Sequence, residues 1–310
     1  MLYAKSTLIR YRYEISHWRR SVIKLYLSIS AGYIFFKKNV SSETSHNEII
    51  ENVKLISDHV PKHNKPLTDN DFGHYLAGLI DGDGYFSKIG QLVIVFSLPD
   101  AFLAYFIKSQ LGFGKVRKVK DKNAYLFIIS SKNGMIKVLN IINGKLRTAK
   151  RLNQIKQMFI YKPELHIVNY TTNEDKDLCN YWLAGFSDAD ASFQVKWIER
   201  YTRKYPEVRI NFQIDQKDNY LLLLIKGFLG GNIGYRNTQD TYYYGSTSFG
   251  SARNVIKYFD RYHLQSSKHI SYLRWRKVYI LIQNKEHLTE KGRLKISRLK
   301  DIMNKHSSTL

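Results

Sequence analysis

Two kinds of hydrophobic spacing alternate along this chain, and the alternation occurs twice. In "HYLAGLIDGDGYF" (His74 to Phe86) an apolar stretch ends in Asp81 and Asp83, set among glycines where a helix is about to stop; "YWLAGFSDADASF" (Tyr181 to Phe193) does the same. After each motif the period changes to two. In "VRINFQID", Val208, Ile210, Phe212 and Ile214 point to one side while Arg209, Asn211 and Gln213 point to the other, predicting a strand with one buried and one hydrogen-bonding face. Asp100 and Asp218 sit where helix N-caps belong, and Gly112 and Gly230 where those helices end. "KVRKVKDKNAYLFIIS" reads as a hairpin around Asp121–Asn123, and "NIGYRNTQDTYYYGSTS" as its counterpart around Gln239–Asp240. "KRLNQIKQMFIY" and "KHISYLRWRKVYILIQ" read as late helices.

These elements form an internal repeat. Asp100, Leu103, Ile107, Lys108, Leu111 and Gly112 reappear 118 positions later as Asp218, Leu221, Ile225, Lys226, Leu229 and Gly230. The same offset takes Tyr125 to Tyr243, Leu146 to Leu264 and Lys150 to Lys268, while the motifs lie 107 apart because "ERYTRKYPE" lengthens a hairpin of the second copy. Each copy therefore runs motif, strand pair, helix, second strand pair, helix. The expected organisation is an extension over 1–66, a first domain over 67–162, a linker over 163–176 and a second domain over 177–310. The extension has no counterpart in the repeat. Its first forty residues are basic, with Glu14 the one acid, so a mitochondrial targeting peptide is one reading and a loosely ordered extension the other.

Charge narrows the partner. Against 26 Asp and Glu stand 49 Lys and Arg, a net +23 over 310 residues, which calls for a polyanion: nucleic acid or an anionic membrane surface. The longest apolar run, Leu25–Phe36, is too short to span a bilayer, which favours nucleic acid. The single cysteine, Cys179, excludes a disulfide framework and a Cys-rich zinc site.

The motif has a chemical reading of its own. Gly78 and Gly82 share one helix face, as do Gly185 and Ala189, and small residues at this spacing let two helix backbones approach closely. Packed side by side, two such helices bring Asp83 and Asp190 together at their feet. A carboxylate there faces the negative end of the helix dipole, at a cost on the order of 0.3–1 kcal/mol, and two of them repel. A hard divalent cation such as Mg²⁺ offsets both. The alternative is a glycine-rich helix-to-strand turn with capping or solvated aspartates; its recurrence at matching positions on so basic a chain argues against it. No Ser/His/Asp or Cys/His grouping offers a covalent nucleophile.

"LAGLIDGDG" (Leu76 to Gly84) and "LAGFSDADA" (Leu183 to Ala191) resemble the two signature motifs of the LAGLIDADG homing endonucleases, of the single-chain, two-motif kind found in organellar introns. The resemblance covers roughly residues 67 to 300. It implies an α+β fold of two pseudo-symmetric αββαββα domains forming a DNA-binding saddle. The activity it implies is hydrolytic cleavage of both strands of a long asymmetric site with Mg²⁺, for which Mn²⁺ can substitute, by a monomer in a mitochondrial setting.

Carried across, the resemblance makes Asp83 and Asp190 metal ligands, with the carbonyls of Gly82 and Ala189 sharing in coordination. Asp81 and Asp188 shape the helix end and interface. Gln216 falls where the family has a polar residue that organises the catalytic water, and the repeat offset puts Leu98, unable to do that, in the first copy. Lys150 and Lys268 fall where the family places a lysine near the scissile phosphates. Ala191 replaces the glycine that ends the first motif, harmless if the backbone there is extended. The DNA readers are expected on the outward sheet faces: Ser87, Lys88, Gln91, Arg117, Lys118 and Lys120 in one copy, and Gln194, Lys196, Arg209, Asn211, Gln213, Arg236, Asn237 and Gln239 in the other. Such side chains suit the donor and acceptor pattern of major-groove base edges. Two other readings stay open: an RNA-binding maturase that assists splicing of its own intron, and a DNA-binding protein without catalysis, against which the intact acids argue.

Overall fold

The computed structural model describes residues 55–166, 170–201 and 205–308; the basic leader and the run Leu25–Phe36 lie outside them. The first half comprises α1 (Asp69–Asp83), β1 (Gly84–Ser87), β2 (Gln91–Ser97), α2 (Ala101–Leu111), β3 (Lys115–Lys118), β4 (Ala124–Ile129), α3 (Lys132–Ile142) and α4 (Ala149–Tyr161). The second comprises α5 (Trp182–Asp190), β5 (Ala191–Ile198), β6 (Glu207–Gln216), α6 (Tyr220–Leu229), β7 (Asn232–Arg236), β8 (Thr241–Gly245), α7 (Phe249–Phe259), α8 (Lys268–Gln283) and α9 (Glu290–Ser308). The αββαββα order holds in both halves, followed by one further helix in the first (α4) and two in the second (α8 and α9).

Each half carries a four-stranded antiparallel sheet, in the orders β1-β2-β4-β3 and β5-β6-β8-β7. Helices cover one face. In the second half Phe193 of β5 meets Phe212, Phe259, Tyr272 and Trp275 at ring distances of 5.2–5.7 Å. In the first, Phe86, Ile94 and Phe127 of the sheet and Leu103, Ile107, Met135 and Leu139 of the helices are fully or almost fully buried. Both motif helices end in extended backbone, at Gly84 (φ −82°, ψ 158°) and at Ala191 (φ −91°, ψ 158°), so the alanine is unstrained, as expected.

Several local readings change. Asp100 makes no capping bond; its carboxylate accepts from Ser97 Oγ and, across the chain, from the Ser267 N–H at 2.7 Å. Asn219 is the N-cap of α6, while Asp218 accepts from the Tyr220 N–H. The 118-residue offset does not hold in the sheets. Gly84 pairs with Ile94 and Ala191 with Ile214, so β2 and β6 correspond at an offset of 120.

The halves meet through α1 and α5. A Cβ added at Gly78 would lie 1.9 Å from the Trp182 carbonyl oxygen, one at Gly185 2.0 Å from the Tyr75 carbonyl oxygen, and one at Gly82 2.3 Å from the Ala189 Cβ. Backbone thus lies on backbone along the small-residue face. The contact is reciprocal in its hydrogen bonds too. Trp182 Nε1 donates to Asp81 at 2.9 Å, and Tyr75 OH donates to Asp188 at 2.7 Å. Each buried acid is completed from its own half: Asp81 by the N–H groups of Arg147 and Thr148 and by Thr148 Oγ1, Asp188 by the Gln265 N–H and Ser266 Oγ. Burial raises both carboxyls' pKa, and these bonds act against the rise.

The lead-in to the first motif is extended, and residues 56–64 strap across the second half. Ile56 exchanges two hydrogen bonds with the Gln283 amide. Arg276, 2% exposed, donates to the carbonyls of Ser57 and His59 while paired with Asp260. His63 meets Leu264 O, and the Asn64 backbone bonds His263 and Gln265.

Gly78→Ala or Gly185→Ala should destabilise by about 3 kcal/mol, a fall in Tm of about 6–12 °C, because the methyl lands on a carbonyl oxygen that cannot move aside. Gly227→Ala, mid-helix in α6 with nothing within 4 Å of the new Cβ, should be neutral or stabilising by up to about 1 kcal/mol. Thermal unfolding of the three variants checks both.

Candidate active site at the helix junction

Asp83 and Asp190 are the last residues of α1 and α5. Where those helices touch, Asp190 Oδ2 lies 3.2 Å from the position a Cβ on Gly82 would take. Part of the Asp83 side chain meets solvent, yet its surroundings raise its pKa to about 6: burial is the largest cause, the Asp190 charge adds to it, and Lys268 and Arg151 oppose it. Burial raises Asp190 as well, opposed first by a hydrogen bond from Gln216 and then by the same two cations. The acids come together as the sequence led us to expect.

The surrounding groups are not symmetric. Gln216 Nε2 donates to Asp190 Oδ2 at 2.7 Å. By the strand register its counterpart is Phe96, two residues beyond Ile94 as Gln216 is two beyond Ile214; Leu98, suggested by the offset, lies past the end of β2 and is 43% exposed. Phe96 and Asp83 line the same small cavity, of about 160 Å³. Among the described residues, no side chain hydrogen-bonds the Asp83 carboxylate.

The cations also shift register. Lys268 Nζ donates to Ala189 O at 2.6 Å and Ser187 O at 3.3 Å. The matching place in the first half belongs to Arg151, whose Nη2 donates to Gly82 O at 2.7 Å and whose Nε donates to Ile80 O at 2.8 Å. Lys150, the residue expected there, is exposed and lines the outer clefts. Counted from Thr148 and Ser266, which bond the inner acids alike, Arg151 stands three residues on and Lys268 two. Burial lowers the pKa of both Arg151 and Lys268, and neighbouring acids raise it.

The oxygen set suits a hard divalent ion. Among the described residues no group of three or more His, Cys, Asp or Glu could hold a metal, but Mg²⁺ characteristically takes one or two carboxylates and completes its shell with water and substrate phosphate. The Gly82 and Ala189 carbonyls each already accept one cationic N–H; a carbonyl's second lone pair leaves room for another partner.

The polar sheet faces lie away from the helices. Lys88, Arg117, Lys118, Lys120, Lys196, Asn237 and Gln239 are exposed, and Ser87, Gln91, Gln194, Arg209 and Arg236 half-buried. Asn211 and Gln213 depart from the expected open presentation, at 9% and 8% exposure. They form a row along β6 in which Asn211 Nδ2 donates to Gln213 and Gln213 Nε2 to Asp215, which also pairs with Arg236 Nη1 at 2.6 Å. Asp215 continues the Arg209, Asn211, Gln213 alternation; sequence reading passed over it because an acid is a poor partner for DNA phosphate.

Comparison with known proteins agrees with this architecture. A family model described as LAGLIDADG endonuclease matches residues 183–279. The uncharacterized cox1 intron-2 37.2 kDa protein of Schizosaccharomyces pombe is 57% identical, over 88% of this chain and 84% of that protein. The intron-encoded DNA endonuclease aI3 of Saccharomyces cerevisiae is 30% identical, over 80% and 71% respectively. The same yeast's intron-encoded RNA maturase bI4 is 29% identical over 61% of this chain, which spans 29% of that longer protein. Among solved structures, the meganuclease I-SmaMI bound to uncleaveable DNA shares the fold with a TM-score of 0.61 at 24% identity, covering 74% of this chain and 97% of that one. With its paired motifs, twin sheets and these relatives, the chain belongs to the LAGLIDADG endonuclease family.

Proposed function

We propose that the chain is a site-specific endonuclease that hydrolyses both strands of a long asymmetric DNA target and so promotes mobility of the intron encoding it. One observation carries the reading: Asp83 and Asp190, one from each half, are held side by side at the foot of a helix pair whose backbones touch. That arrangement costs stability, and a divalent ion with a DNA phosphate relieves it.

Asp83 and Asp190, with the free lone pairs of the Gly82 and Ala189 carbonyls, would hold Mg²⁺ or Mn²⁺. Such ions stabilise charge on the attacking and leaving oxygens of an in-line displacement. Lys268 and Arg151 supply positive charge beside the acids, and Gln216 fixes the Asp190 carboxylate. The exposed basic residues of the two sheets bear on backbone phosphates, and the polar residues between them on base edges. Both acids come from one chain, so a monomer suffices. A relative named for a cox1 intron supports a mitochondrial setting. A second reading, an intron RNA maturase with or without DNA cleavage, is favoured by the likeness to a relative of that name.

Asp83→Asn or Asp190→Asn should lower Mg²⁺-dependent cutting of the target by at least about 100-fold while leaving DNA affinity in Ca²⁺ within a few-fold. Binding of intron RNA with no DNA cutting under any divalent ion would instead support the maturase. Affinity should fall steeply with salt, as expected of a protein that neutralises many phosphates.

The metal-free protein should respond to acid through Asp83. Its folded carboxyl is raised from 3.8 to about 6, so between those values the folded state binds a proton that the unfolded chain does not. Its contribution to stability is therefore fully present below the unfolded value and lost as pH rises through 6. Relative to Asp83→Asn, the metal-free protein should gain on the order of 1 kcal/mol between pH 7 and pH 5, after discounting for solvent screening. Denaturant unfolding of both proteins across that range tests it.

A further inference from the structure

The polar face of the second sheet carries one acid, Asp215, in line with Arg209, Asn211 and Gln213 along β6. A carboxylate there repels the phosphates that the surrounding lysines and arginines attract. Its local work is to accept. Asp215 Oδ1 accepts from Arg236 Nη1 at 2.6 Å and Oδ2 from Gln213 Nε2 at 2.8 Å. An ionised carboxylate has no donor, so the Gln213 amide turns its NH₂ towards Asp215 and its oxygen away. That oxygen takes the Asn211 Nδ2 donor at 3.3 Å, which makes Asn211 Oδ1 the far end of the row. Asn211 Oδ1, and Gln194 Oε1 in register with it on β5, are buried and have no partner among the described residues.

Arg236 is clamped at the other end. Its guanidinium lies 4.7 Å from the centre of the Tyr243 ring, and that ring covers Gly234, where an added Cβ would come within 2.4 Å of it. Asp215, Tyr243 and Gly234 face one another across β6, β8 and β7. Among the described residues the Arg236 Nε and Nη2 donors have no partner, so a fixed guanidinium keeps a donor fork for a base edge. The first half has no such row. At the register offset of 120, Val93 and Val95 stand where Gln213 and Asp215 stand in the second half.

We propose that Asp215 is a positioning residue that sets base preference in the part of the DNA target lying under the second sheet. This role rests on the nuclease reading of the chain. Held by Asp215 and Tyr243, Arg236 presents its fork to the O6 and N7 acceptors of a guanine. Held in turn through Gln213, Asn211 presents an acceptor, which selects the amino group of adenine or cytosine. The two unpartnered amide oxygens are covered in the free protein, and a base reaches them through the side-chain rotations common at interfaces on binding. Asn211 and Asp215 lie four residues apart on one strand, about 14 Å, so the two preferences fall about four base-pair steps apart.

The test uses the full chain and a target selected by cleavage from a DNA library; the target is then varied one base pair at a time and binding measured in Ca²⁺. The unaltered protein should prefer guanine at one position and adenine or cytosine at another, each by about tenfold or more. Asp215→Asn should lower both preferences together, because an amide donates as well as accepts and no longer fixes the row. Affinity for duplex without the site should stay level or rise, since an acid has left a basic face. Arg236→Lys should lower the guanine preference alone. Melting temperatures are measured alongside. Asp215→Asn that leaves both preferences intact, or that weakens binding to every sequence alike with a fall in melting temperature, overturns the role of Asp215. A guanine preference that survives Arg236→Lys overturns it as well. In each of these cases Mg²⁺-dependent cutting of the selected target by the unaltered protein still supports the nuclease reading; a chain that neither binds nor cuts any DNA overturns both.

Discussion

The close approach of α1 and α5 is the constraint on which the rest depends. At Gly78 and Gly185 each helix presents bare backbone to a carbonyl of the other. That proximity determines which side chains can reach across: Tyr75 to Asp188 and Trp182 to Asp81. It also brings the helix ends close enough for Asp83 and Asp190 to feel each other's charge. Wider separation would leave two unrelated aspartates on two separate domains.

Within each motif the two acids have opposite situations two residues apart. Asp81 and Asp188 are buried and surrounded by donors from both halves, so their cost of desolvation is offset by the hydrogen bonds they accept. Asp83 and Asp190 lie one step further along, past the donors and at the rim. The inner acids secure the junction and the outer ones remain available for ligands. The helical rotation between the two positions achieves the division, with no change of residue type.

Much of this was legible from spacing alone. The period-two strands, the αββαββα order and the small-residue faces of the motif helices are local patterns, and local patterns survive folding. Correspondence between the halves was less legible, because one offset cannot describe hairpins of different length. Leu98 slips because the first copy has two more residues than the second between Phe96 or Gln216 and the aspartate before the next helix; Lys150 slips because the longer arginine side chain, one position further on, reaches the matching carbonyls. Asn211 and Gln213 were assigned to the correct face, but their burial depends on cross-strand neighbours and on Gly245, whose Cβ would lie 3.0 Å from the Asn211 amide. Segment 56–64 has no periodicity, so its ties to Gln283, Arg276 and His263 could not be read in advance.

That strap has a consequence for how such chains can be rebuilt. The polypeptide that leads into the first half is fastened to the last third of the molecule, on α8 of the second. A chimaera made by joining the amino-terminal half of one family member to the carboxy-terminal half of another therefore has two seams to reconcile, one at the helix junction and one along this lead-in. A chimaera of this chain should keep its junction best when the short stretch before the first motif is inherited with the distant half it grips, and not with the half it precedes.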